Sequence, residues 1–243
     1  MPTLEAVGLS RRYGPRSAVE GLSFVAEQGD IVGLLGPNGA GKTTTIRLLT
    51  TILRPTAGSF TVAGIPDREP ARIRARIGVL PESAGYPGRQ SGAAYLRYAA
   101  RLFGRSRSES AMAARRLLDE VGLGDRAGAL ISTYSRGMKQ RLGIARALIN
   151  DPAVVFLDEP TLGLDPAGQR EVLSTVALIA GERGATVVLS THTLAEVEQV
   201  CSSLLILDRG RLRAAGTVAE VKAAVGAASL NDAFLSLTER SDR

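Results

Sequence analysis

Residues 36–44, GPNGAGKTT, combine several glycines with a Lys-Thr pair and directly follow the apolar run IVGLL at 31–35. The stretch matches the pattern G-x-x-x-x-G-K-[ST] in full, in which the glycines let the backbone turn tightly and aim successive N–H groups at phosphate oxygens. Lys42 adds a compact positive charge for the β- and γ-phosphates, the Thr43 hydroxyl is a candidate ligand for Mg²⁺, and the following helix adds its positive dipole end. The predicted nucleotide-binding residues of this loop are Gly36, Pro37, Asn38, Gly39, Ala40, Gly41, Lys42, Thr43 and Thr44.

The stretch VVFLDEP at 154–160 ends an apolar run with two adjacent carboxylates. We expect Asp158 to hold Mg²⁺ directly or through water, and Glu159 to lie close enough to polarise an attacking water. A phosphate-binding loop alone fits kinases, GTPases and many motors. Because the tandem carboxylates offer one group for the metal and one as a base, they indicate hydrolysis rather than transfer to a bound acceptor. The plainer alternative is an acidic pair that only caps a helix.

The elements that position these residues alternate along the chain. Apolar runs bounded by turn signals predict strands buried on both faces, and the helical patterns between them predict βαβ units with a mostly parallel sheet. Residues 83–150 break the alternation and predict an inserted subdomain of several helices, whereas residues 1–30 predict an antiparallel flank. The predicted strands are IVGLL (31–35), FTVAG (60–64), RIGVL (76–80), VVFLD (154–158), TVVLS (186–190) and LLILD (204–208).

Composition is that of an ordinary globular protein. The chain has 243 residues, of which 44% are hydrophobic, enough for one large domain with a sizeable core. The single cysteine, Cys201, excludes an internal disulfide framework. We expect neither a signal peptide nor a membrane span, because no run approaches about 18 apolar residues. The net charge of +6 is scattered, which leaves open a generally cationic surface, a nucleic-acid partner or an acidic membrane surface.

The order of the remaining motifs resembles that of the nucleotide-binding subunits of ATP-binding cassette (ABC) transporters over nearly the whole chain. YSRGMKQR at 134–141 lies where that family has its LSGGQ signature, and GLDP at 163–166 resembles the D-loop. His192, the only histidine, matches the switch histidine, and Tyr13 matches the aromatic that stacks on adenine. The resemblance implies an α/β fold: a P-loop NTPase core with an antiparallel β flank and an inserted α-helical subdomain. The expected division is one domain over 1–243, with a core made of 1–82 and 151–243 and a helical subdomain at 83–150.

The resemblance also implies roles for the matching residues. Lys42, Glu159 and His192 are the expected catalytic residues, with His192 in contact with the γ-phosphate, and Asp165 is expected at a dimer interface. Each assignment has a plainer alternative, since His192 could be an ordinary residue after a strand, Tyr13 a packing aromatic and Asp165 a helix cap. The signature residues expected to contact the nucleotide of a second chain are Ser135, Arg136, Gly137 and Met138.

Two positions depart from the family pattern. Glu82 lies where the family commonly has Gln, and an ionised carboxylate accepts a hydrogen bond from metal-bound water but cannot donate one. With Thr43 and Asp158, Glu82 completes the expected metal-binding set. Arg136 replaces the first signature glycine, and its guanidinium either adds charge near the partner's γ-phosphate or points into solvent. Glu82, the Tyr-Ser-x-Gly style of the signature and the expected closing helix at 229–240 resemble an exporter-type branch, which favours export of drugs, lipids, polysaccharides or ions.

The partners follow from the same resemblance. It implies ATP and Mg²⁺ as cofactors, a head-to-tail dimer with a second copy or a sister ATPase subunit, and an integral-membrane permease that holds the chain at the cytoplasmic face of a bacterial cell membrane. Tyrosines and arginines clustered at 83–102 indicate the docking surface, with a solvated amphipathic helix as the alternative. The competing hypothesis is a soluble ABC ATPase that acts on nucleic acid or the ribosome. One cassette, one cysteine and no sustained heptads argue against it, so no nucleic-acid partner is expected.

Overall fold

A computed structural model describes residues 2–239 of the chain. In chain order its strands are β1 (Leu4–Tyr13), β2 (Arg16–Ala26), β3 (Ile31–Leu35), β4 (Ala57–Val62), β5 (Ile65–Pro66), β6 (Ile77–Leu80), β7 (Val154–Asp158), β8 (Thr186–Thr191), β9 (Ser203–Asp208) and β10 (Arg211–Gly216). Its α-helices are α1 (Lys42–Leu49), α2 (Pro70–Arg74), α3 (Gly92–Leu102), α4 (Arg107–Glu120), α5 (Arg136–Ala147), α6 (Pro166–Arg183), α7 (Leu194–Val200), α8 (Val218–Val225) and α9 (Leu230–Glu239). The closing helix expected at 229–240 is therefore present as α9, although its last predicted residue, Arg240, lies outside the described residues.

Most of the longer helices begin at a small polar residue. Its side-chain oxygen accepts a hydrogen bond from a first-turn N–H group, which would otherwise lack a partner. Two of these caps, Ser135 before α5 and Asp165 before α6, are residues of the predicted site. The side-chain caps of this kind are Ser91, Ser106, Ser135, Asp165, Thr217 and Ser229.

The larger sheet has six strands in the order β10-β9-β3-β8-β7-β6. Its strands pair in parallel except at one edge, where β10 runs antiparallel to β9. Every residue of β3, β7 and β8 is buried, as expected for strands covered on both faces. The mostly parallel α/β core predicted from the sequence is confirmed.

The smaller sheet is antiparallel and has the order β2-β1-β4-β5. It confirms the antiparallel flank at the N-terminus, but it also takes up the run FTVAG, which the alternating pattern had assigned to a strand of the parallel core. That assignment was wrong, because β4 pairs antiparallel with β1, with Phe60 opposite Ala6. A short apolar run looks the same in either sheet, so only the pairing partner decides between them.

The segment predicted to be helical contains α3, α4 and α5, with 3₁₀ turns at Gly124–Arg126 and Ile131–Thr133. Buried side chains from these helices, such as Leu96 and Leu117, share one hydrophobic cluster with Leu157 of β7 and Val176 of α6. The helical segment thus packs directly on the sheet, and its boundaries as a subdomain stay a prediction. No helix within residues 2–239 combines the length and apolar character that a membrane crossing requires.

Register brings three strand ends together at one edge of the larger sheet. Leu35, the last residue of β3, pairs with Thr191, the last residue of β8. Asp158, the last residue of β7, pairs with Ser190 one position earlier on β8. In open parallel sheets, ligands bind outside the carboxyl ends of the strands. The loops that follow β3, β7 and β8 therefore meet where a ligand site is expected.

Candidate active site

The glycine-rich loop connects the end of β3 to the start of α1. Gly41 is the N-cap of α1 with a φ of 108°, a conformation that residues with a side chain rarely adopt. Because glycine cannot cap a helix with a side chain, the first-turn N–H groups remain available to an anion at the positive end of the helix dipole. Lys42 is 7% exposed, and its Nζ donates to the carbonyl oxygen of Gly36 at 2.7 Å. Contacts within the chain thus hold the glycine-rich loop and Lys42 in position.

Asp158 links this loop to the neighbouring strands. Its Oδ1 accepts hydrogen bonds from Ser190 Oγ at 2.5 Å and from Thr43 Oγ1 at 3.3 Å. The residue is only 4% exposed, and a buried carboxylate is tolerated when such donors surround it. Asp158 and Thr43, which the sequence predicts as metal ligands, therefore lie side by side.

Glu159 lies between Lys42 and His192. Its Oε1 lies 3.5 Å from Lys42 Nζ, and its Oε2 lies 2.8 Å from His192 Nδ1. Its backbone N–H donates to Ser190 Oγ at 2.9 Å. Its φ of 49° is in the left-handed region, which costs a non-glycine residue on the order of 1–3 kcal/mol and occurs most often at functional sites. The structure thus brings together the three predicted catalytic residues.

A cavity of about 690 Å³ opens over these groups, within the range of about 300–1,000 Å³ typical of small-molecule sites. Tyr13 lies at its edge, 44% exposed, with the Arg11 guanidinium 4.8 Å from its ring centroid. The cavity is lined by Tyr13, Arg16, Ala18, Pro37, Asn38, Gly39, Ala40, Gly41, Lys42, Thr43, Thr44, Glu82, Glu159, Leu162 and His192. Three residues from the smaller sheet and the loop at the edge of the larger sheet therefore face one cavity.

The oxygen donors of this site suit a hard divalent cation. Among residues 2–239 no cluster of three or more His, Cys, Asp or Glu side chains could hold a metal by itself. Mg²⁺ in nucleotide sites commonly uses one or two protein oxygens and takes its other ligands from phosphates and water. Thr43 and Asp158 offer such a pair, and the exposed Glu82 lines the same cavity. The residues fit a metal that arrives with a nucleotide.

The signature residues lie elsewhere, at the start of α5. Tyr134 is buried, and its hydroxyl donates to the carbonyl oxygen of Arg126 at 2.7 Å. Ser135 is exposed, and its Oγ accepts from the Met138 N–H at 3.2 Å. None of the residues that line the nucleotide cavity in the described chain comes from 134–138. The signature is therefore anchored by its tyrosine and presented at the surface, outside its own cavity.

The structure shows the surroundings of Asp165 and Arg136, whose roles the sequence left open. Asp165 Oδ1 accepts from the Gly168 N–H at 2.9 Å, so Asp165 is a helix cap, and its role at a dimer interface stays a prediction. Arg136 is exposed, which agrees with the predicted solvent environment, and its guanidinium also lies against Gly163 of the same chain.

Ser190 and Arg16 are site residues that the sequence analysis missed. Ser190 joins Asp158 to the backbone of Glu159, and its signal was a hydroxyl near the end of an apolar strand, two residues before His192. Arg16 lines the nucleotide cavity from the start of β2. Nothing in the local sequence distinguishes Arg16 from the other exposed arginines, because its position depends on how the two sheets pack.

Residues 19–162, more than half of the chain, match the protein family described as "ABC transporter". The chain belongs to the ABC transporter family. Its similarity to solved structures covers nearly all of it: the "ATP binding subunit of ABC transporter" aligns with a TM-score of 0.86 and 33% identity over 97% of this chain and 99% of that one. The cbiO1 subunit from Clostridium perfringens aligns with a TM-score of 0.83 and 26% identity over 91% of each chain.

Several curated ABC proteins are similar over most of this sequence. Daunorubicin resistance ATP-binding protein DrrA3 of Streptomyces coeruleorubidus is 42% identical over 90% of this chain and 69% of its own length. Linearmycin resistance ATP-binding protein LnrL of Bacillus subtilis is 34% identical over 96% of this chain and 77% of its own. Nod factor export ATP-binding protein I of Paraburkholderia xenovorans is 40% identical over 86% and 68%, respectively.

These relationships confirm the family, the fold and the activity predicted from the sequence. The chain is an ATP-binding subunit of an ABC transporter, and the family implies that it hydrolyses ATP. ATP-binding subunits of this family dimerise and work with membrane components. The alternative of an ATPase acting on nucleic acid or the ribosome finds no support among these relatives.

Proposed function

We propose that this chain powers export through a separate permease at the cytoplasmic face of a bacterial cell membrane. The direction is supported by the names of the relatives, which refer to resistance against daunorubicin or linearmycin and to Nod factor export. The cargo class we infer from the two resistance names is a drug-like compound. Because the permease forms the cargo path, its sequence rather than this chain decides the individual compound.

The proposed reaction is attack of water on the γ-phosphorus of ATP, with cleavage of its bond to the bridging oxygen and release of ADP and phosphate. Tyr13 stacks on the adenine, and residues 36–44 enclose the phosphates. Lys42 and His192 stabilise the charge on the γ-phosphate, and Glu159 accepts the proton of the water. Thr43 and Asp158, with Glu82 at the same cavity, would hold Mg²⁺, which would neutralise phosphate charge when bound.

The observation that carries this proposal is the position of the Glu159 carboxylate, 3.5 Å from Lys42 Nζ and 2.8 Å from His192 Nδ1 at the cavity. The same side chains that bind a γ-phosphate thus orient the base beside it.

A second chain is needed in the proposal because Ser135 is exposed and lies outside its own cavity. We propose that residues 83–150 form a helical subdomain that carries Ser135, Arg136, Gly137 and Met138 to the nucleotide of a partner, with Asp165 at the same interface. The N–H groups at the start of α5 and the Ser135 hydroxyl then contact the γ-phosphate of that nucleotide. Hydrolysis removes this bridging charge, so the dimer opens.

Glu159→Gln tests the assignment. Removing the base should lower kcat by about 10²–10⁴-fold while ATP binding persists, and the variant should accumulate as a closed dimer in Mg-ATP. Turnover by phosphate release and dimer mass by light scattering are the measurements. Glu198→Gln, an exposed change on α7, is the control and should behave as the unmodified chain. A Glu159→Gln chain that still hydrolyses ATP at the normal rate contradicts the assignment; one that stays monomeric should be retested with a coexpressed sister subunit.

The docking surface for the permease is proposed on α3 and the residues after it. Tyr98 is 59% exposed and Leu102 is 69% exposed. Arg97 and Arg101, which are also exposed, lie on the same helix. Tyr95, in contrast, is partly buried and packs edge-on against Tyr86, with the ring centroids 5.9 Å apart. Exposed apolar groups beside arginines are typical of protein interfaces.

The test is copurification with the cognate permease. Tyr98→Ala combined with Leu102→Ala should reduce capture at least several-fold while the isolated chain keeps its ATPase activity. Ile52→Ala, which removes a similarly exposed apolar side chain (67%) after α1, is the control and should leave capture unchanged. If the double variant copurifies with the permease as well as the unmodified chain does, the permease binds to another surface.

A further inference from the structure

Glu196 is a buried carboxylate that the proposed reaction does not use. The residue is 4% exposed, and burying a carboxylate is costly unless its surroundings stabilise it. It lies in the first turn of α7, where the helix dipole favours negative charge. Within residues 2–239 its side chain accepts one hydrogen bond, from Thr191 Oγ1 at 2.7 Å, and forms no ion pair. The Thr191 hydroxyl is thus the group that connects Glu196 to the rest of the chain.

The Thr191 hydroxyl has two partners. It donates to Glu196 Oε2, and it accepts from the Thr193 N–H at 3.0 Å. Thr191 is the last residue of β8, whereas Thr193 is the N-cap of α7 and caps no N–H group with its own side chain. In a capping box, a glutamate at the third helical position binds the N-cap N–H directly. Glu196 occupies that position in α7 and reaches the Thr193 N–H through the Thr191 hydroxyl.

His192 is the residue between these two threonines. Its side chain is 50% exposed, and within residues 2–239 that side chain makes one hydrogen bond, from Nδ1 to Glu159 Oε2 at 2.8 Å. The position of the ring therefore depends on the backbone that carries it. The Thr191 hydroxyl fixes this backbone on both sides of His192, because Thr191 bears the hydroxyl and the Thr193 N–H binds it.

We propose that Glu196 is a positioning residue that holds His192 at the γ-phosphate site through the Thr191 hydroxyl. This inference rests on the proposed contact of His192 with the γ-phosphate. In the described chain neither Glu196 nor Thr191 lines the nucleotide cavity, so both influence turnover only through the backbone of His192. The glycine-rich loop and Tyr13 do not depend on this arrangement, so nucleotide affinity is preserved when it is broken.

The test compares the same substitution at the two ends of β8. Thr191→Val keeps the shape of the side chain and removes its hydroxyl, and Thr186→Val is the matched control. Both threonines are 0% exposed, and the Thr186 hydroxyl donates to the carbonyl oxygen of Glu27 at 2.8 Å, at the end of the strand away from the cavity. Phosphate release gives kcat, a fluorescent ATP analogue gives the nucleotide dissociation constant, and the thermal midpoint reports stability.

We expect Thr191→Val to lower kcat about 10-fold and to leave the nucleotide dissociation constant within about twofold, because His192 loses its alignment while the phosphate-binding loop stays intact. Thr191→Ser restores the hydroxyl, so it should recover at least about half of the normal kcat. Thr186→Val should lower the thermal midpoint, because it also loses a buried hydrogen bond, but it should change kcat by less than about twofold.

Two further measurements show whether the effect passes through His192. In a His192→Ala background, Thr191→Val should change kcat by less than about twofold, because the group that it positions is already absent. His192 is the only histidine of the chain, so the imidazole NMR signals of the untagged protein belong to this residue alone. These signals should shift in Thr191→Val and keep their positions in Thr186→Val.

Three results overturn the inference: equal losses of kcat in Thr191→Val and Thr186→Val, the same loss from Thr191→Val with and without His192, or unshifted imidazole signals in Thr191→Val. If Thr191→Val does not fold, Glu196→Leu decides. Leucine is of similar size but offers no acceptor, so kcat should fall about 10-fold, and a normal kcat overturns the inference. The proposed function fails in a different way, because His192→Ala alone would then hydrolyse ATP at the normal rate.

Discussion

The nucleotide cavity and the signature segment differ in how far one chain completes them. At the cavity, Asp158, Glu159 and Lys42 are nearly buried, and the hydroxyl of Ser190 ties the first two together. At the signature, Ser135 is exposed, and within residues 2–239 its side chain makes one hydrogen bond, which caps its own helix. The cavity is organised in advance, whereas the signature presents unused hydrogen-bonding groups at the surface.

This difference indicates which residues contribute to nucleotide affinity and which make activity depend on assembly. Groups held in advance bind a nucleotide without the cost of ordering side chains, so a single chain can carry the binding step. Groups left at a surface contribute only when another molecule meets them, which makes their contribution conditional on assembly. Single substitutions can separate the two regions.

Ser190→Ala should give the largest effect of the three tests. It removes the shorter of two donors to buried Asp158 and one of two acceptors of the Glu159 N–H, and a hydrogen bond to a charged group contributes about 1.5–3 kcal/mol. We expect kcat to fall about 10–100-fold with a smaller change in ATP affinity. The measurement is steady-state ATPase kinetics. The control is Ser174→Ala, which changes an exposed serine on α6. Unchanged kcat would mean that the carboxylates hold their positions without Ser190.

Ser135→Ala should have an intermediate effect, of which only the loss of stability appears in the single chain and the loss of activity appears in the assembled state. Loss of the cap lowers the free energy of unfolding by about 1 kcal/mol, and loss of a hydrogen bond to a phosphate should weaken ATP-dependent dimerisation about 10-fold. Ser106→Ala removes an equivalent cap from α4 and is the matched control. Both variants should lose similar stability, and only Ser135→Ala should lose dimerisation and turnover. Equal losses of turnover in the two variants would reduce Ser135 to a structural cap.

Asp151→Asn should have the smallest effect, on stability and not on nucleotide binding. Asp151 pairs with Arg105 at 2.9 Å, Arg116 at 3.1 Å and Arg183 at 3.2 Å, which fastens the helical segment to the core. Burial tends to raise the pKa of Asp151, but hydrogen bonds and charge from Arg105 and Arg116 outweigh it and hold the pKa below its ordinary value of 3.8.

Because the folded pKa is lowered, the stabilisation is present above pH 3.8 and disappears as the pH falls through the folded-state pKa. Asp151→Asn should therefore have a lower thermal midpoint than the unmodified chain at neutral pH, and its midpoint should fall less steeply as the pH is lowered. Asp119→Asn, which breaks an exposed pair with Arg115 at 4.0 Å, is the control and should change little. If the thermal midpoints of Asp151→Asn and the unmodified chain fall in parallel as the pH is lowered, the Asp151 carboxylate does not contribute to the pH dependence of stability.

Prediction from the sequence succeeded where a pattern requires a local conformation. The glycine-rich loop and the VVFLD run required particular strand–loop junctions, and both are found. It failed for FTVAG, whose composition suits either sheet, and it missed Ser190 and Arg16, whose partners lie far away in the chain. The contact of Arg136 with Gly163 could not be predicted either, because the two residues meet only through tertiary packing.

The amino-acid sequence by itself determined the family, the nucleotide-binding loop, the acidic pair and the succession of strands and helices. These features depend on residue types at short spacing, for which backbone sterics and hydrogen bonding allow few conformations. Only the tertiary structure decided that Glu159 lies between Lys42 and His192, that Ser135 is presented at the surface and that Arg136 rests on Gly163. Such contacts join residues distant in sequence, so they are determined by strand register and by the packing of the helices on the sheet.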